Sequence, residues 1–148
     1  MPMLDEMLSS NGLAWSDLTR IGVGIGPGNF TGIRISVSAA RGLTRGLGIP
    51  AVGVSTLEAL LHTHPNQTAA VKAPRDMAYA QSNGRNPELA EAASVPDAIY
   101  PTDLTALITA MAQCAAKADT ATAERPKPLY IKPADAAPSR EAPPVMLS

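Results

Sequence analysis

"IGVGIGPGNFTGIRISVSAARGLTRGLGIPAVGV", Ile21 to Val54, decides the fold class of this 148-residue chain. Ile21, Val23 and Ile25 alternate with glycines, the pattern of a strand buried under close neighbours. A turn of Gly26, Pro27 and Gly28 follows. From Thr31 to Leu47 apolar residues recur at helical spacing, and Gly48 and then Pro50 close that helix. Ala51 to Val54 reads as a second short strand. Strand, crossover helix and strand in this order predict an α/β layer with parallel pairing.

The glycine turn, "GIGPGNFTGIRIS" from Gly24 to Ser36, admits two readings. Backbone N–H groups of a glycine-rich loop can point at an anion, helped by the positive end of the following helix. No lysine follows the glycines, so the phosphate-loop pattern is not met, and Pro27 removes a donor. In the second reading Gly26 and Gly28 supply unusual dihedrals, Pro27 fixes a corner, and Asn29 or Thr31 caps the helix.

The helix itself carries three kinds of surface. At about 100° per residue, Arg34, Ser38, Arg41 and Arg45 share one stripe, while Ile33, Val37, Ala40, Leu43 and Leu47 form a bulky apolar face. Gly32, Ala39, Gly42 and Gly46 lie between them, beside Ile35. Each interior glycine costs a helix up to ~1 kcal/mol. A strip of small residues lets another backbone approach closely, which predicts a helix packed on two sides. The second contact is either internal or a partner, and the arginines face either solvent or acidic groups on that partner.

Outward from this block, Met3, Leu4, Met7 and Leu8 predict an amphipathic helix over 3–10, closed by Asn11-Gly12. Ser55 and Thr56 offer caps for a helix from Leu57 to about His62, with Glu58 suited to its first turn. Ala69 to Lys72 and Met77 to Gln81 predict two strands joined at Pro74-Arg75-Asp76. Residues 82–102 show little pattern. Leu104 to Ala116 predicts a helix capped by Thr102 or Asp103. Residues 118–148 read as irregular, apart from Leu129-Tyr130-Ile131.

Composition narrows the function classes. Apolar residues make up 45% of the chain but aromatics only 3%, so the core must be built from Ala, Val, Ile, Leu and Met. A formal net charge of −1 does not steer the whole chain to nucleic acid or anionic lipid. Cys114 is the single cysteine, which excludes an internal disulfide framework. No apolar stretch reaches the ~20 residues of a membrane span. The first residues lack a basic, then apolar leader pattern, so a cytoplasmic location is expected. His62 and His64 have no third histidine beside them, so no metal site is expected. Cys114 fits a buried small side chain better than a nucleophile. No "G-x-S-x-G" nucleophile pattern is present, and no catalytic residue is assigned.

"IGVGIGPGNFTGIRISVSAARGLTRGLGIPAVGVSTLEAL", Ile21 to Leu60, resembles the hallmark block of the TsaB family. "KPLYIKPADAAPSR", Lys127 to Arg140, resembles the family's C-terminal signature, and "APRDMAYAQ", Ala73 to Gln81, the start of its second domain. The resemblance implies an α/β fold of the actin-like ATPase (ribonuclease H-like) kind, with an incomplete first lobe and a shortened second one. Residues 1–65 would form a partial N-terminal lobe with the helical dimerization surface. Residues 66–148 would form the shortened C-terminal lobe and a Pro/Ala-rich tail. Relative to the family, the opening strands with their phosphate-contacting loop are lacking, which would leave sheet edges exposed.

The resemblance further implies a non-catalytic scaffold subunit of the bacterial machinery that makes threonylcarbamoyladenosine in tRNA. Its partners would be a TsaD-like catalytic subunit, a TsaE-like ATPase and, when alone, a second copy of itself. It would meet tRNA only through the complex and would not meet membranes. No cofactor is expected on this chain; ATP belongs on the partner subunits. The expected interface is Met3 and Met7 with Gly32, Ile35, Ala39, Gly42 and Gly46, flanked by Arg34, Arg41 and Arg45. Gly26, Pro27, Gly28 and Thr31 would form the structural turn. The alternatives are a nucleotide-binding or M22-like hydrolase, or a non-functional fragment of the scaffold.

Overall fold

A computed structural model describes residues 2–121 and 124–131 of the chain. In it, β1 (Ile21–Gly24) and β2 (Ala51–Val54) pair in parallel, Ile21 opposite Ala51 and Gly24 opposite Val54. The crossover between them is α2 (Phe30–Leu47), closed by Gly48 in the left-handed region at φ 68°. This is the expected strand, helix and strand, with the helix starting one residue early.

The two-stranded sheet is covered on both sides. On one side α2 lays Val37, Ala40 and Thr44 against the strands. On the other, α4 (Leu104–Lys117) packs on β1 and β2 and on α3 (Thr56–Thr63). The core there joins Val52, Val54 and Ala59 to Ala110 and Ala115. Leu57 and Val54 are the largest fully buried side chains, as a chain so poor in aromatics requires. Burying one such residue stabilises by roughly 2 kcal/mol.

A separate antiparallel sheet follows in the order β3 (Thr68–Ala73), β4 (Met77–Ser82), β5 (Glu88–Glu91). The hairpin turns at Pro74-Arg75-Asp76, with Arg75 and Asp76 both at positive φ, 62° and 55°. Leu57, Leu60 and Ala69 form a second core cluster, which binds α3 to β3.

β5 corrects the sequence reading, which saw little pattern over 82–102. It is a short edge strand whose glutamate ends are exposed, so apolar alternation is weak there. A single turn of 3-10 helix, Ala92–Ser94, follows it. Leu129-Tyr130-Ile131 is not a strand either. Leu129 N–H donates to the Ile25 carbonyl at 2.9 Å and so extends past the end of β1. The family-like stretch beyond Ile131 lies outside the described residues.

Helix ends follow from side-chain chemistry. Ser55 accepts from Glu58 N–H at 2.9 Å while Ser55 N–H donates to the Glu58 carboxylate at 3.4 Å, a reciprocal cap. Asp103, not Thr102, caps α4, accepting from Thr105 N–H at 2.8 Å and Ala106 N–H at 3.2 Å. At the other end of α4, Arg20 Nη1 donates to the carbonyls of Ala115, Ala116 and Ala118 at 2.9–3.0 Å. These are carbonyls a helix leaves without partners, and a cation suits the negative end of its dipole.

α1 (Pro2–Ser10) stands at the margin. Its Leu8 is buried, and Trp15 Nε1 donates to Asp5 at 2.7 Å, holding the helix to the 3-10 turn Trp15–Asp17. No extensive packing joins α1 to α2.

Candidate docking surface

The glycine turn aims α2. Gly26 and Pro27 are buried, and Gly26 has φ 101°. A Cβ at Gly26 would lie 2.7 Å from Ile33 Cδ1, so only glycine lets the turn close on the first turn of the helix. The Gly26 carbonyl accepts from Thr56 N–H at 2.9 Å, which ties the turn to the start of α3. Asn29 is the cap, accepting from Gly32 N–H at 2.9 Å. Thr31, expected in the turn, lies exposed inside the helix instead. The Asn29 side chain thus takes up one N–H of the helix start, and Pro27 offers the loop no N–H of its own.

With the helix so aimed, its inner face meets the sheet and its outer face is open. Thr44 belongs with the inner face, and its Oγ1 donates to the Ala40 carbonyl at 2.9 Å. Gly32, Arg34, Ile35, Arg41, Gly42, Arg45 and Gly46 are exposed, and Ala39 is half-buried. Ile35 is 65% exposed and adds apolar area beside this strip. A Cβ at Gly42 or Gly46 would meet nothing within 4 Å. The expected second contact is therefore not made among the described residues. Met3 and Met7, 76% and 54% exposed, add apolar area on α1.

The arginines separate into two settings. Arg34 sits over the Phe30 ring, 5.2 Å from its centroid, and Phe30 in turn tilts against Tyr130 at 5.4 Å. Arg41 and Arg45 lie further along α2 and line a concave site described below. Sequence reasoning missed the Phe30–Tyr130 contact because no local period links residues one hundred positions apart.

Elsewhere, His64 is exposed and its Nδ1 lies 2.8 Å from Thr63 Oγ1. His62 is half-buried and lines a cavity of about 420 Å³ with Glu58, Cys114 and Lys117. Cys114 is only half-buried and packs beside the core of Val52 and Ala115. Burial, then the charge of Glu58, pushes its thiol above the usual range, which opposes thiolate formation. Among the described residues no three His, Cys, Asp or Glu side chains gather as a metal-binding group. Among them, too, no helix is long and apolar enough to cross a membrane.

Known proteins resemble this chain over most of its length. A family model described as "TsaD: tRNA N6-adenosine threonylcarbamoyltransferase" matches residues 1–129. The chain is 35% identical over 85 residues to the tRNA threonylcarbamoyladenosine biosynthesis protein TsaB of Haemophilus influenzae, covering 53% of this chain and 36% of that protein. It is 42% identical over 57 residues to the Escherichia coli TsaB, covering 38% of this chain and 25% of that one. The chain thus spans well under half the length of these curated relatives. A crystal structure from Pseudomonas aeruginosa, of a protein described as similar to peptidase YeaZ, superposes with TM-score 0.65 at 21% identity, covering 88% of this chain and 82% of that one. That likeness shows the fold, which is the actin-like, ribonuclease H-like α/β fold.

Proposed function

We propose that this chain, which belongs to the family described as "TsaD: tRNA N6-adenosine threonylcarbamoyltransferase", is a TsaB-type protein and acts as a scaffold in tRNA threonylcarbamoyladenosine modification. It docks a TsaD-like catalytic subunit through the outer face of α2. The observation that carries this reading is the open strip itself. Ile35 is 65% exposed, and the space above Gly42 and Gly46 is empty to 4 Å. A helix that keeps Gly42 and Gly46 at a propensity cost of up to ~1 kcal/mol each, yet packs nothing on them, is shaped for another backbone.

In this reading residues 1–65 supply the docking surface and the rest of the chain supports it. Gly32, Ile35, Ala39, Gly42 and Gly46 form the close-packed centre, Met3 and Met7 extend its apolar margin, and Arg34, Arg41 and Arg45 lie at the rim for acidic groups. Transfer chemistry and its ATP belong to the TsaD-like subunit and a TsaE-like ATPase, and the setting is cytoplasmic. Without a partner, the same strip pairs with a second copy.

Co-purification with a TsaD-like subunit tests this. Gly42→Leu is expected to abolish it by inserting bulk into the strip. The same variant is expected to shift the isolated chain to monomer in sedimentation velocity. Undiminished co-purification of a folded Gly42→Leu protein rejects the interface.

A further inference from the structure

Three arginines are among the residues that line the concave site at the far end of α2. Arg41 and Arg45 reach it from the helix, and Arg125 from the returning segment 124–131. Its volume is about 270 Å³, just below the roughly 300–1,000 Å³ typical of sites for drug-sized ligands. No lining side chain among the described residues is acidic. None of the three arginines makes an ion pair or side-chain hydrogen bond among those residues. The neighbouring acids in sequence are engaged elsewhere. Glu124 accepts from Lys127 Nζ at 2.7 Å, which holds its carboxyl below the usual range, and Asp119 accepts from Ala121 N–H at 3.0 Å.

Such an arrangement is unfavourable on its own. Arg41 and Arg45 are like charges one helical turn apart, which cost a few tenths of a kcal/mol. Arg125 adds a third charge from across the site. The C-terminal dipole of α2 offsets only about half a charge. The backbone next to Arg125 is held in place, although Arg125 itself is exposed. Pro126 is buried, and its Cβ lies 3.3 Å from where a Cβ on Gly53 would sit, so the chain beside Arg125 is pinned to β2. Guanidinium groups on three residues bordering one small concave site suit the bidentate geometry of phosphate oxygens.

We infer that this site binds phosphate groups, with Arg41, Arg45 and Arg125 as the donors. The source is either the diphosphate of a nucleotide or the backbone of RNA, which share this chemistry. The inference goes beyond the docking of α2, because two of its residues lie on that helix but Arg125 does not, and no partner subunit is needed.

The test uses the full chain alone. Inorganic pyrophosphate is titrated by calorimetry, and a labelled 12-nucleotide RNA by fluorescence anisotropy. The double variant Arg45→Gln/Arg125→Gln is compared with Arg75→Gln/Arg85→Gln, which removes the same charge outside the site. Circular dichroism verifies that both fold. Saturable binding of at least one probe is expected, weakened about tenfold or more by the first double variant and about twofold or less by the second. RNA binding displaced by pyrophosphate identifies the backbone as the source; pyrophosphate binding without RNA binding identifies a small phosphate ligand. The inference is overturned if neither probe saturates, or if both double variants weaken binding alike.

Discussion

Glycines lie on the strands of this molecule and on α2, and the two sets do opposite work. Gly22 and Gly53 are spacers inside the packed layers. A Cβ at Gly22 would lie 2.8 Å from Ala115 Cβ of α4, and one at Gly53 would lie 2.8 Å from Ile25 Cγ2 and 3.3 Å from Pro126 Cβ. Gly42 and Gly46 have open space above them. The same residue type thus permits close approach in both places. In one the approaching element belongs to the chain, and in the other the space is left free. An absent Cβ is therefore informative about function only where nothing in the chain fills its place.

Substitutions should separate the two sets, with effects that fall from the covered side to the open one. Gly22→Val is expected to be the most damaging, at about 3 kcal/mol or more, because β1 cannot move off α4 without unpairing from β2. A denaturant midpoint shows it, and an unshifted midpoint would mean that β1 and α4 are not in close contact. Arg20→Met should cost about 2 kcal/mol, by leaving carbonyls at the end of α4 without a charged donor. Amide exchange in residues 112–118 should rise with it; exchange that stays at the wild-type rate would show that Arg20 is not the cap.

Asn29→Ala, at the start of α2, is expected to cost about 1 kcal/mol. Asn29→Ser should recover most of that loss, since a hydroxyl can accept the same N–H. Gly42→Leu sits at the other extreme. Measured at a concentration where the chain is monomeric, its effect should be neutral or stabilising by up to ~1 kcal/mol, from helix propensity, even as partner binding is lost. A large destabilisation would place Gly42 with the packed set and remove the argument for an open strip.

The smallest effect concerns Cys114, on α4 beside the covered side. Its thiol is pushed up by burial and then by Glu58, so the folded state holds the proton more tightly than the unfolded one. Stability from this source is present below the unfolded thiol's pKa and declines as pH rises through the folded value. Alkylation at pH 8 should accordingly be slower in the folded protein than in urea. Equal rates would contradict the burial.

Much of this was legible along the chain, because local chemistry writes local structure. The glycine-spaced strand, the helix from Thr31, its Gly48 cap and the Ser55–Glu58 cap are all set by residues within a few positions of one another. β5 was not legible, since an exposed edge needs little apolar alternation. The Arg20 cap of α4, the Phe30–Tyr130 contact and the convergence of Arg125 on Arg41 and Arg45 join positions roughly eighty to one hundred apart, and no period reports such distances.

The sequence by itself determined the parallel α/β unit, the α2 faces and the family likeness, since periodicity, capping and a contiguous motif are properties of neighbours in the chain. Only the tertiary structure decided which glycines are covered, that α2 presents its small strip outward, and that three arginines share one site. Those outcomes depend on which surfaces the packed layers bring together or leave apart, and packing is a property of the whole chain.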